Sequence, residues 1–166
     1  MLRKLALPLL LSTALCAQAA NLSSTEQRIT ASVTAWQPQA IELLERSARI
    51  NSGTLTLAGV RATGDVFRAE LDKLGFKTAW LDMPKEMGRA GHLVATRTGK
   101  KGRRLLLLGH LDTVFEQSAP GPLWQRDGDS ARGQGVSDMK GGNVVVIAAL
   151  RALQQAGALD DTTITV

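Results

Sequence analysis

Four consecutive leucines, Leu105 to Leu108, follow a basic stretch and stop at Gly109. A strand that is apolar at every position has two faces to bury, which is the pattern of a central strand in a sheet covered on both sides. Such sheets are built mostly from parallel strands joined by helices, so this run alone points to an α/β sandwich. The 166 residues, 44% of them hydrophobic and 21% charged, suit one globular domain. There is no glycine at every third position and no sustained heptad, which excludes collagen-like and coiled-coil chains.

The surrounding sequence fits that class. Ile41, Leu44 and Ala48 recur at helical spacing within 37–49, with Glu42–Arg46 and Glu45–Arg49 as i, i+4 pairs on the outer side. A second helix is expected over about 59–74, with Val60, Phe67, Leu71 and Leu74 on its inner stripe and Gly75 as its stop. Extended runs follow at 77–81, 93–97 and 104–108, with 99–102 as a hairpin turn between the last two. The basic cluster of Arg97, Lys100, Lys101, Arg103 and Arg104 reads as a solvated edge. A further hairpin is expected around 127–130. A third helix over 143–156 opens on Val144, Val145, Val146, Ile147 and Ala148, which predicts deep burial, and stops at Gly157. Asp160 and Asp161 then turn into a strand at 162–166. The fold class expected is α/β, a three-layer sandwich with a mainly parallel mixed sheet.

The first twenty residues stand apart. A basic start (Arg3, Lys4), an apolar run from Leu5 to Leu15 broken by Pro8, and the small residues Ala17, Ala19 and Ala20 read as a secretory signal peptide cut after Ala19. The run is too short to span a bilayer. Its removal leaves a cysteine-free chain, 20–166, with 18 basic and 15 acidic side chains, destined for secretion or the periplasm. A charge that small and scattered gives no footprint for nucleic acid, and no membrane partner is expected after cleavage.

In α/β sheets ligands bind beyond the carboxyl ends of the strands. The leucine run leads there into Gly109, His110, Leu111, Asp112 and Thr113. With strand geometry continued, His110 and Asp112 share a face, so the carboxylate holds one ring nitrogen and leaves the other free for a metal or a proton. His92, with no acidic neighbour, reads as structural or exposed. The second cluster runs from Gly133 to Gly142 around Asp138. Its glycines permit a sharp turn before the third helix, aiming Asp138 over the strand ends. A carboxylate so placed is suited to bridging two cations. The same loop has the composition of a phosphate cradle but lacks the G-x-x-x-x-G-K-[ST] spacing.

Together, "LLLLGHLDTVF" and "GQGVSDMKGG", whose aspartate lies 28 residues after that histidine, resemble the co-catalytic zinc exopeptidases of the glutamate carboxypeptidase, aminoacylase and acetylornithine deacetylase group. "NSGT" at Asn51 to Thr54 and the closing "ALDDTTITV" fit the secreted bacterial glutamate carboxypeptidase branch. The resemblance implies that His110 binds one zinc and Asp138 bridges two. It places Asp112 among the catalytic residues as the carboxylate that orients His110. It further implies zinc as cofactor, with cobalt or manganese as substitutes, a peptide or N-acyl amino acid as substrate, C-terminal glutamate as one candidate leaving residue, and a homodimer for the complete protein. The family's general-base glutamate, its remaining ligands and its dimerisation or lid domain match nothing up to Val166. The expectation is therefore an N-terminal part of the catalytic domain, inactive by itself. A secreted binding domain of the same fold is the alternative, and a nucleotide-binding domain using the glycine loop ranks below it.

Overall fold

A computed structural model describes residues 21–166; the leader read over 1–19, with Cys16, lies outside the described residues. The first helix, α1, spans Ser24–Ala48. It begins thirteen residues before the expected start because Ser23 and Glu26 form a capping box, the Ser23 hydroxyl accepting from the Glu26 amide while the Glu26 carboxylate accepts from the Ser23 amide. Pro38 lies inside the helix; it forfeits one backbone donor without ending it. Leu43 and Ala48 are the fully buried apolar residues of this helix, and of the two expected charge pairs only Glu45–Arg49 is made, at 2.7 Å. Arg46 turns instead to Glu70, 3.2 Å away on the next helix.

That helix, α2, spans Leu57–Lys73, close to expectation, and Gly75 supplies the left-handed residue after it. Strands β1 (Lys77–Leu81) and β2 (His92–Arg97) follow, then β3 (Lys101–Leu106), the small hairpin of β4 (Gln125–Asp127) and β5 (Ser130–Arg132), helix α3 (Gly141–Gln155) and β6 (Thr162–Thr165). The principal sheet has the order β1-β2-β6-β3. It is mixed, as expected, but only β3 with β6 is parallel, and the other two pairings are antiparallel. The segment 99–102 is therefore no hairpin turn, because β6 inserts between β2 and β3. Gly99 permits this: a Cβ there would collide with the backbone of Asp161 and Thr162.

One core joins the three helices to the sheet: Leu43 from α1, Phe67 and Leu71 from α2, Val144, Ile147 and Leu150 from α3, and Ala95 and Ile164 from the strands. Of the expected three layers, the described residues supply the sheet and one layer of helices. The leucine run shows the consequence. Leu107 packs against the core, whereas Leu106 is 63% and Leu108 80% exposed on the other face. Among the described residues the run thus continues an exposed edge strand with Leu107 alone packed on the core, not a central strand buried on two sides. Helix α3 repeats the pattern, with Val144 and Ile147 buried and Val145 67% exposed.

Candidate metal centre

Strand pairing along the leucine run ends with the Leu107 amide donating to the Thr165 carbonyl at 2.8 Å. From there the chain is irregular, yet His110 and Asp112 still meet. The His110 Nδ1 lies 3.0 Å from the Asp112 backbone carbonyl and 3.3 Å from its Oδ1. Both are acceptors, so Nδ1 carries a proton and donates. The conformation comes from outside the loop: Thr113 bridges Gly53 in parallel register, its amide donating to the Ser52 carbonyl at 2.8 Å. The His110 carbonyl accepts from Asn143 Nδ2 at 2.8 Å, which fixes the loop to the first turn of α3.

The glycine-rich run behaves as its composition predicts. Gly135 is left-handed, and residues 136–140 make a wide turn in which Asp138 and Met139 leave helical geometry before α3 begins. This brings Asp138 Oδ1 to 2.9 Å from His110 Nε2. The three sequence-predicted residues are therefore assembled, with His110 in the middle. Its side chain is 42% exposed and that of Asp138 82%, so the pair faces solvent.

Two groups that both present lone pairs do not rest at 2.9 Å unless a positive charge lies between them. In the bare protein that charge is a proton. Burial lowers the His110 pKa, but the Asp138 hydrogen bond, the Asp112 carbonyl and the two carboxylate charges outweigh it and hold the pKa above its usual value. A divalent cation satisfies the same pair. An imidazole nitrogen and a carboxylate oxygen are donors that zinc accepts. They suit the metal in kind, and they are two: among the described residues no third histidine, cysteine or acidic side chain completes a ligand cluster.

Sequence reading missed the supports. Thr54 donates its hydroxyl to Asp112 Oδ2 at 2.6 Å. Lys140 is 1% exposed, and its Nζ donates to the Ile50 carbonyl at 2.7 Å; burial lowers its pKa from 10.5 to about 8. Neither carried a signal beyond the motifs containing them, since their partners lie 58 and 90 residues away. A cleft of about 580 Å³ adjoins the site, lined by Thr54, His110 and Asp112 and by the apolar Phe67, Leu93 and Val146. His92, expected to be structural or exposed, is exposed and also lines it.

Residues 106–166 match the family described as Peptidase family M20/M25/M40. The chain is 34% identical over 167 residues to carboxypeptidase G2 of Pseudomonas sp. (strain RS-16), a match covering 99% of this chain and 40% of that protein. It spans about two fifths of the length of that relative. Among solved structures it resembles human carnosine dipeptidase 1 (TM-score 0.70, 17% identity, 84% of this chain and 33% of that one). It also resembles the di-peptidase Dug1p from Saccharomyces cerevisiae (TM-score 0.69, 16% identity, 86% of this chain and 34% of that one). At those identities the structural matches speak for the fold alone.

Proposed function

Because this chain is a relative of the M20/M25/M40 peptidases in sequence and in fold, we propose that it carries part of a metal-dependent hydrolytic centre. The reaction is cleavage of the amide bond of a terminal amino acid in a peptide or N-acyl conjugate. The observation that carries the reading is the 2.9 Å approach of His110 Nε2 and Asp138 Oδ1, made by two loops 28 residues apart and open to solvent.

In this reading His110 and Asp138 would hold the cation, zinc by preference, and Asp138 would also serve a second one. The chemistry such a cation supplies is a polarised amide carbonyl and a water made nucleophilic near neutral pH. Asp112 keeps the His110 proton on Nδ1, so that Nε2 presents its lone pair outward. The cleft beside the site gives a substrate's side chain or acyl group a largely apolar wall. The similarity to a carboxypeptidase favours a C-terminal residue as the one released, with glutamate the first candidate. The leader at 1–19 supports export to the periplasm or medium.

With two donors in place the chain alone binds metal weakly and does not turn over. The test is titration of the purified chain with Zn(II) or Co(II), alongside His110→Ala and Asp138→Asn, followed by an assay for release of C-terminal glutamate from a peptide. Expected are weak binding that both substitutions abolish, and no release. Binding that survives both substitutions would overturn the site, and zinc-dependent release would overturn the inactivity of the chain.

A further inference from the structure

The two loops that bring His110 and Asp138 together come from distant parts of the sequence, and one short segment touches both. Ile50 accepts from Lys140, which lies in the Asp138 turn. Asn51 Nδ2 donates to the Phe115 carbonyl and to Gln134 Oε1, each at 3.0 Å. The Thr54 amide donates to the Thr113 carbonyl at 3.0 Å. Glu116 accepts from the Leu55 amide at 2.9 Å and from the Thr56 hydroxyl at 3.0 Å. A Cβ on Gly53 would collide with Glu116, so the closeness of the two segments depends on glycine there. Residues 50–56 are thus a strap fastened to both loops, and Thr54 is its member that reaches a site carboxylate.

We propose that Thr54 is a positioning residue for this centre: its hydroxyl fixes the Asp112 carboxylate and, through it, the His110 ring that faces Asp138. The inference rests on the reading of His110 and Asp138 as metal ligands. At 2.6 Å the Thr54–Asp112 bond has the length of a charge-assisted O–H···O⁻ contact. The Thr113 carbonyl, 3.3 Å from the same oxygen, competes for its single proton at longer range. With Oδ2 held, Oδ1 stays 3.3 Å from His110 Nδ1, beside the Asp112 backbone carbonyl that accepts from Nδ1 at 3.0 Å. Asp112 stands on an irregular loop, where no strand register sets its side chain. The hydroxyl supplies that constraint. Outer partners of this kind change metal affinity by about 10- to 100-fold when removed.

The test uses the purified chain, Co(II) as the probe, and paramagnetic shifts of residues 109–113 to read binding. Thr54→Val keeps the branched shape and loses the donor; it is expected to weaken Co(II) about tenfold while the amide spectrum away from the site is unchanged. Thr54→Ser restores the donor and is expected to recover most of the affinity. In an Asp112→Asn background Thr54→Val is expected to add little, since the two substitutions then break one linkage. Thr54→Ala serves in place of Thr54→Val if the latter fails to fold. Unchanged affinity in Thr54→Val, or an equal loss with and without Asp112→Asn, overturns the positioning role while leaving the ligands standing. No Co(II) binding by the parent chain would overturn the ligand reading and this role with it.

Discussion

Lys140 is a buried cation with a single carbonyl as its partner, and that arrangement sets a pH dependence of stability. Its pKa falls from 10.5 to about 8 in the folded chain because burial penalises the charged form. At about 1.4 kcal/mol per pKa unit, a charged Lys140 costs the folded state about 3 kcal/mol relative to the unfolded one. Below about pH 8 both states hold the proton and the full cost applies. Between about 8 and 10.5 the native state releases the proton first, so stability climbs with pH; above that range the cost is gone. The chain contains no tyrosine, so no phenol ionises across this window. Urea unfolding followed by tryptophan fluorescence at pH 7, 8, 9 and 10 measures the climb. Lys140→Met removes the charge but leaves the Ile50 carbonyl without its donor, a loss of about 1–3 kcal/mol that offsets much of the gain at pH 7. Its alkaline climb is expected to be shallower than that of the parent by up to about 3 kcal/mol. Parallel pH profiles for the two proteins would refute the reasoning.

Gly99→Ala is expected to destabilise the chain by about 1–3 kcal/mol or more, since its Cβ meets backbone, which cannot rotate away; unchanged urea unfolding would count against the tight β2–β6 crossing. Glu70 is almost buried; burial raises its pKa, but Lys73 at 2.9 Å and Arg46 at 3.2 Å outweigh that and hold it below 4.5. Its contribution is therefore present above pH 4.5 and lost as pH falls through the lowered value, so Glu70→Gln is expected to flatten the acid limb of a thermal-unfolding series. Leu43→Ala, at a fully buried position of α1, is expected to cost about 3–5 kcal/mol in the same measurement.

How much of this was legible in the sequence depended on the range of the contacts. Strand β1 and helix α2 lie where local patterns put them, because alternation and the Gly75 stop are local properties. The start of α1 falls outside the 37–49 range that apolar spacing indicates, although the Ser23-x-x-Glu26 signature that sets it is itself local. The hairpin expected at 99–102 fails for a different reason. Nothing within 92–106 reports that 162–165 will pair between its two strands. The leucine run shows a third limit: composition announces that both faces are apolar, while the covering of each face depends on which layers surround the sheet.

The site divides along the same line. His110, Asp112 and Asp138 were legible because each residue type has a chemical use beside a strand end, and the glycines around Asp138 advertise a turn. Their mutual placement is set by contacts of a length that no motif spans: 58 residues from Thr54 to Asp112, 83 from Asn51 to Gln134 and 90 from Lys140 to Ile50. Each contact has one end in the strap at 50–54. The strap is thus a second tie between the His110 loop and the Asp138 turn, beside the Asn143–His110 bond that fixes the loop to the first turn of α3. The strap carries "NSGT" but no side chain of the histidine, cysteine or carboxylate types that mark a metal ligand. Its residue types are those of any loop, and only the fold shows that it holds the two halves of the centre in register.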